Sequence, residues 1–85
     1  MPHTIVRHPV ITEKSIRLID KENKLVFIVD RKATKRQIKN AVEKLYGVEI
    51  EDVNVCITPR GTKKAYIKLK PEFSADEVAT RIGIY

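Results

Sequence analysis

Apolar and polar residues alternate along residues 53–58 and 64–70, and this alternation predicts two β-strands. The segment Pro59-Arg60-Gly61-Thr62 separates the strands, and a short Pro/Gly turn between two such runs is typical of a β-hairpin. Each strand should therefore turn one apolar face toward a core. The other face of the second strand carries cations around one aromatic ring: Lys64, Tyr66, Lys68 and Lys70. Since no acid occurs between Val53 and Lys70, we expect a cationic face suited to a phosphate backbone.

Helix signals recur three times along the chain. The predicted helices span about residues 13–19, 35–46 and 75–82. Each follows a hydroxyl residue that can accept hydrogen bonds from the first-turn amides: Thr12, Thr34 and Ser74. Gln37 and Glu77 can complete capping boxes with the second and third of these. The polar segment 20–23 should end the first helix, whereas Gly47 and Gly83 end the other two.

Two further stretches complete the predicted fold. Residues 25–29 are apolar throughout and rich in β-branched side chains, which is typical of a central strand covered on both faces. Ile5 and Val6 can add a short strand before Arg7-His8-Pro9 breaks the run. The element order predicts an α+β fold, with one antiparallel-rich β-sheet of three to four strands and helices packed on it. Because no linker divides the chain, we expect residues 1–85 to form a single domain.

The charge balance points to an anionic partner. The chain carries 17 Lys and Arg residues against 11 Asp and Glu residues, a formal net charge of +6. Nucleic acid is one explanation, and a basic soluble protein without an anionic partner is the other. Acid-free basic runs occupy residues 31–39 and 60–70, while acids gather in residues 49–52 and 72–77. This segregation favours a binding face.

Residues that carry chemistry are sparse, so we expect no enzyme, cofactor, metal site or small-molecule substrate. His8 has no partner at metal-ligand spacing, no paired carboxylates precede a glycine turn, and no phosphate-binding loop is present. The alternative, a small nuclease or acylphosphatase-like hydrolase, is therefore disfavoured. The single cysteine, Cys56, should be a small buried or half-buried strand residue. No run resembles a signal peptide or a membrane span, so we expect a cytoplasmic protein without direct membrane insertion.

Five motifs in order resemble the family of large-subunit ribosomal proteins numbered twenty-three, in its archaeal form. The motifs are Pro9-Val10-Ile11-Thr12-Glu13-Lys14-Ser15, Asn23-Lys24-Leu25-Val26-Phe27, Ala33-Thr34-Lys35 with Ile38-Lys39 and Ala41-Val42, Val53-Asn54, and Lys63-Lys64-Ala65-Tyr66-Ile67-Lys68-Leu69. The resemblance implies an α/β domain that binds large-subunit ribosomal RNA beside the polypeptide exit tunnel. It also implies neighbouring ribosomal proteins, the signal recognition particle and the protein-conducting channel as partners.

This sequence departs from the pattern of the bacterial family members at the hairpin. Bacterial members carry a long basic, glycine-rich loop between the last two strands, and this loop reaches into the tunnel. Here Pro59-Arg60-Gly61-Thr62 closes the hairpin directly, so a tunnel-lining role for that loop does not transfer. A free-standing RNA-binding or protein-docking module outside the ribosome is the alternative function.

The candidate RNA-binding residues combine the basic runs with residues beside the family motifs. They are Arg7, His8, Lys14, Lys24, Lys35, Arg36, Lys39, Arg60, Lys63, Lys64, Tyr66 and Lys68. Tyr66 either stacks on an unpaired base or lies flat on neighbouring lysine stems. The exposed side of the second helix is either an RNA contact or a solvated surface. Glu13 is the candidate protein-docking residue, although its place in a first helical turn also suits the helix dipole alone.

Overall fold

A computed structural model describes residues 5–83, so residues 1–4 and 84–85 of the predicted domain lie outside the described part. The elements, in chain order, are β1 (Val6–Pro9), α1 (Glu13–Glu22), β2 (Lys24–Val29), α2 (Lys35–Tyr46), β3 (Ile50–Ile57), β4 (Lys63–Leu69) and α3 (Ala75–Arg81). The strands form one antiparallel sheet in the order β1-β2-β4-β3. The predicted α+β fold is confirmed.

The core lies on one face of this sheet, between the strands and the helices. From β4 it receives Ala65, Ile67 and Leu69, which are all buried, as the alternating pattern predicted. Leu25, Phe27 and Val29 of β2 join them, together with Val53 of β3. Helix α2 contributes Ile38, Ala41 and Val42, and α3 contributes Ala75, Val78 and Ala79. We call this side of the sheet the helix-covered face.

Helix α1 is longer than the sequence predicted. It begins after Thr12 as expected, and Ser15 completes the capping box by accepting a hydrogen bond from the Thr12 amide. The helix continues through Glu22, three residues beyond the predicted last residue Ile19, and it ends within the predicted polar segment 20–23. It stops at Asn23, which adopts the left-handed conformation with φ 56°. Asparagine tolerates this conformation better than other residues with side chains do, because its short amide can bond locally.

The other two helices begin as predicted. Thr34 and Gln37 form a complete capping box at α2, and Gly47 ends that helix with φ 65°. At α3 the Ser74 hydroxyl accepts a hydrogen bond from the Glu77 amide, but within the described residues the Glu77 carboxylate accepts no reciprocal bond from the Ser74 amide. The predicted box is thus only half formed.

Strand β1 departs from its prediction. The chain does not break at Arg7; it continues as a strand through Pro9, with a register shift between Val6 and His8. A proline at this position is tolerated because β1 is an edge strand and one side of its backbone has no ladder partner. His8 pairs with Ile28 of β2, Arg7 lies within the irregularity, and both residues are exposed.

Candidate nucleic-acid interface

The second face of the sheet is not covered by α2 or α3 and carries five of the twelve predicted RNA-binding residues; we call it the open face. The strand register arranges its side chains in rows that run across the sheet. The turn-side row contains His8, Ile28, Lys64 and Cys56; the middle row contains Val26, Tyr66 and Asn54; the far row contains Lys24, Lys68 and Asp52. Five predicted RNA-binding residues therefore share one surface, although they come from three strands.

The far row is not purely cationic, and on this point the sequence expectation is wrong. Lys24 Nζ lies 3.3 Å from a carboxylate oxygen of Glu22, and Lys68 Nζ lies 3.6 Å from one of Glu51. Asp52 lies directly opposite Lys68 in the register. These acids precede the acid-free run in sequence, and strand pairing brings them beside it. The positive potential at this end of the open face is thereby reduced.

The turn-side row keeps its positive charge. Lys64 makes no ion pair within residues 5–83, and Arg60 is exposed in the turn next to it. The turn is held by a hydrogen bond from the Thr58 amide to the Thr62 carbonyl at 2.8 Å. Gly61 occupies the left-handed region with φ 82°, which a residue with a side chain rarely adopts. The short turn thus presents Arg60 at a defined place beside the sheet.

Lys63 does not join the open face. Its register partners are Val29 and Ile57, so its side chain points toward the helix-covered face. There its Nζ donates a 2.6 Å hydrogen bond to the carbonyl oxygen of Ala33. The sequence grouped Lys63 with Lys64 because both lie near the turn. Adjacent residues of a strand point to opposite faces, so the structure separates them.

Tyr66 is half-buried at the centre of the open face. With Leu18 and Val26 it lines a small cavity of about 30 Å³, to which Lys14 and Lys64 also contribute. Helix α1 therefore brings Lys14 to the same place as Lys64, which the sequence alone did not indicate. Both interpretations of the Tyr66 ring, base stacking and packing on lysine stems, are compatible with this position.

The basic side of α2 lies apart from the open face. Lys35, Arg36 and Lys39 are exposed, whereas the opposite side of the helix packs on the helix-covered face through Ile38, Ala41 and Val42. The protein therefore presents two separate basic surfaces rather than one. The interpretations of the α2 surface, RNA contact or solvated helix, both remain predictions.

Glu13 occupies the first position of α1, and its side chain is exposed. A protein-docking role, which stays a prediction, requires such an exposed side chain. Ile11 lies two residues earlier and is also exposed, at 57% of its maximal area. Ser15 anchors this corner, because its hydroxyl donates to the Val10 carbonyl at 2.8 Å. The start of α1, which the Ser15 bond holds in place, thus exposes both a charged side chain, Glu13, and an apolar one, Ile11.

The described residues contain no group of three His, Cys, Asp or Glu side chains that could hold a metal ion. Cys56 is exposed in the turn-side row, so the expectation of a buried or half-buried side chain is wrong. The register explains the difference, because Cys56 lies opposite Lys64 on the open face. No helix within residues 5–83 is both long and apolar enough to cross a membrane.

Ionisable groups with shifted pKa values lie away from the turn-side row. The Glu49 carboxylate accepts a 3.1 Å hydrogen bond from Lys70 and raises the pKa of that ammonium group. Burial raises the pKa of the Tyr46 hydroxyl, whose ring stacks on Phe27 at a centroid distance of 5.9 Å. Lys70 is therefore engaged with an acid and adds little free positive charge to the open face.

Sequence comparisons identify similar proteins. The family model described as ribosomal protein L23 matches residues 4–66 of the chain. Three similar proteins, each called large ribosomal subunit protein uL23, come from Methanococcus aeolicus, Methanococcus vannielii and Methanococcus maripaludis. They are 57%, 53% and 51% identical to this chain over 81 residues. Each alignment covers 95% of this chain and 94% of the relative.

Proposed function

Because the chain belongs to the ribosomal protein L23 family, and is thus a structural component of the large ribosomal subunit rather than an enzyme, we propose that its open face binds large-subunit ribosomal RNA near the mouth of the polypeptide exit tunnel. The RNA contact and the place in the subunit are inferred from the family resemblance and the charge pattern. Residues 1–85 would act as one RNA-binding domain, beside neighbouring ribosomal proteins.

One observation carries the RNA contact: the turn-side row holds Lys64 without a carboxylate partner in the described residues, and Arg60 stands next to it. An unpaired ammonium group can neutralise a phosphate and release a condensed counterion, which is the main source of affinity for a nucleic-acid backbone. Lys14 extends this positive region toward α1, and Tyr66 supplies an aromatic ring beside it. The far row, with its ion pairs, contributes less.

We further propose that the start of α1 forms part of a docking site for the signal recognition particle and the protein-conducting channel. Glu13 is an exposed acid on a protein of net charge +6, and a basic partner would recognise it by charge. Glu13 lies in the first turn of α1, where an acid interacts favourably with the helix dipole.

The RNA proposal is tested by measuring binding of the chain to Methanococcus aeolicus large-subunit ribosomal RNA at a series of salt concentrations. We expect log affinity to fall linearly with log salt, with a slope of about −0.9 for each neutralised duplex phosphate and less for single strands. Binding that does not change between low and physiological salt would contradict an electrostatic interface.

A further inference from the structure

A groove of about 680 Å³ opens beside the turn-side row. One wall comes from β1 and the residues that follow it, including Pro9, Val10 and Ile11. The β3–β4 turn forms the other wall through Pro59, and Ile28 of β2 lies between the two walls. The groove is therefore lined in large part by apolar side chains, and it falls in the range of volumes that hold small ligands or single anchoring groups.

The charged residues of this groove all have the same sign. Arg60 and Lys64 contribute fixed positive charges, and His8 adds an imidazole. No acid is among the described residues that line it, whereas another groove, at the far end of the sheet, is lined in part by Asp20, Glu22, Glu51 and Asp76. An apolar slot with a cationic edge fits a ligand that is flat and apolar in one part and anionic in another.

The groove is also continuous with the middle of the open face. Val10 and Lys64 line both this groove and the small cavity beside Tyr66. A chain of nucleotides that contacts Lys64 would therefore pass both the aromatic ring and the slot. Lys64 Nζ is available for a phosphate on this path, because it has no ion pair within the described residues.

We propose that the groove holds one unstacked base of large-subunit ribosomal RNA, whose phosphate is bound by Arg60 and Lys64. This inference rests on the proposed function and names the chemical group that the interface recognises. Proteins reach RNA bases mainly in loops, bulges and ends, where a base can leave its stack. Apolar walls replace the stacking partners of such a base, and the cations bind its backbone.

The test uses two variants and one matched control. Ile11→Ala removes part of an apolar wall, and Ile57→Ala removes a side chain of nearly equal exposure, 57% against 55%, that does not line the groove. Affinity for Methanococcus aeolicus large-subunit ribosomal RNA is measured across a salt series. We expect Ile11→Ala to lower affinity about fivefold with an unchanged salt slope, since only apolar contact is lost. Arg60→Gln should instead reduce the slope by about one.

Chemical probing of the bound RNA identifies the base directly. With the unmodified chain, we expect one unpaired nucleotide to be protected from base-modifying reagents, and Ile11→Ala should remove that protection while other protections remain. Equal affinities for Ile11→Ala and Ile57→Ala, with the same protected bases, would overturn the base site while leaving the RNA interface intact. The base site would also be overturned if ribosomes carrying Ile11→Ala lost a contact with a neighbouring ribosomal protein while the RNA protection stayed unchanged. The groove would then hold a protein side chain. If the unmodified chain showed no salt-dependent binding to this RNA, the proposed RNA interface itself would be contradicted.

Discussion

Lys64 and Lys68 lie on the same strand and face the same side of the sheet, yet their electrostatic surroundings differ. Lys68 lies 3.6 Å from Glu51 and opposite Asp52. Lys64 lies between Ile28 and Cys56 and makes no ion pair within residues 5–83. Exposed ion pairs contribute little to stability, but an acid beside a lysine repels an approaching phosphate. We therefore expect Lys64, which has neutral neighbours, to bind phosphate better than Lys68.

The first prediction concerns Lys64. Lys64→Gln should reduce the salt slope of RNA binding by about one, because one phosphate contact is lost. Lys44→Gln changes the net charge by the same amount and lies on α2, away from the open face, so it serves as the control. Binding isotherms at four or more salt concentrations give both slopes. Indistinguishable slopes for the two variants would mean that Lys64 acts only through net charge.

At the scale of elements, Asn23 joins three parts of the chain. Its backbone ends α1 in the left-handed conformation. Its side-chain amide donates to the carbonyl oxygens of Phe73 and Leu69, at 2.9 and 3.3 Å, and its Oδ1 accepts from the Ala75 amide at 2.7 Å. One side chain thus ties the end of α1 to the end of β4 and the start of α3.

We predict that Asn23→Ala lowers the free energy of unfolding by about 3 kcal/mol, through lost hydrogen bonds and left-handed strain. Asn23→Gly keeps the backbone conformation accessible and should lose about 2 kcal/mol, since only the side-chain bonds disappear. Urea denaturation followed by circular dichroism measures both values. If both variants unfold at the wild-type midpoint, the side-chain bonds do not stabilise the fold.

At the scale of the whole molecule, the proposed functions fall on separate surfaces. The open face carries Lys64, α2 carries a second basic surface on the other side of the sheet, and the start of α1 presents an exposed acid. A protein organised in this way can be held by RNA on one side while another side remains available to a protein partner. Charge reversal at the acidic corner should then affect docking without affecting assembly.

The prediction for that corner is that Glu13→Lys leaves assembly into large subunits intact and weakens binding of the signal recognition particle. The loss is expected to be about 1 kcal/mol or less if the contact stays hydrated, and larger if docking desolvates it. Glu77→Lys is the matched control, because Glu77 is also an exposed acid in a first helical turn. Particle affinity is compared on ribosomes carrying each variant at equal salt. Equal affinities would refute a docking role, and failure of Glu13→Lys to assemble would show that the residue is structural.

Local signals in the sequence determined most of the elements. The bounds of α2 follow from Thr34, Gln37 and Gly47, which act within a few residues of the helix ends. The buried face of β4 follows from its strict alternation, because successive strand residues point to opposite sides. These features depend on neighbours in the chain, so a single sequence is sufficient to predict them. The resemblance to the family rests on motifs of the same local kind.

Contacts between distant residues were decided only by the tertiary structure. The sequence contains no signal that Glu51 pairs with Lys68, that Lys63 bonds to Ala33, or that the Asn23 amide reaches Phe73. Such contacts depend on strand register and on the order β1-β2-β4-β3. They join residues up to 52 positions apart, beyond the reach of the local rules for turns and caps. The charge left free on the open face, and the groove beside it, therefore become visible only when the strands are paired.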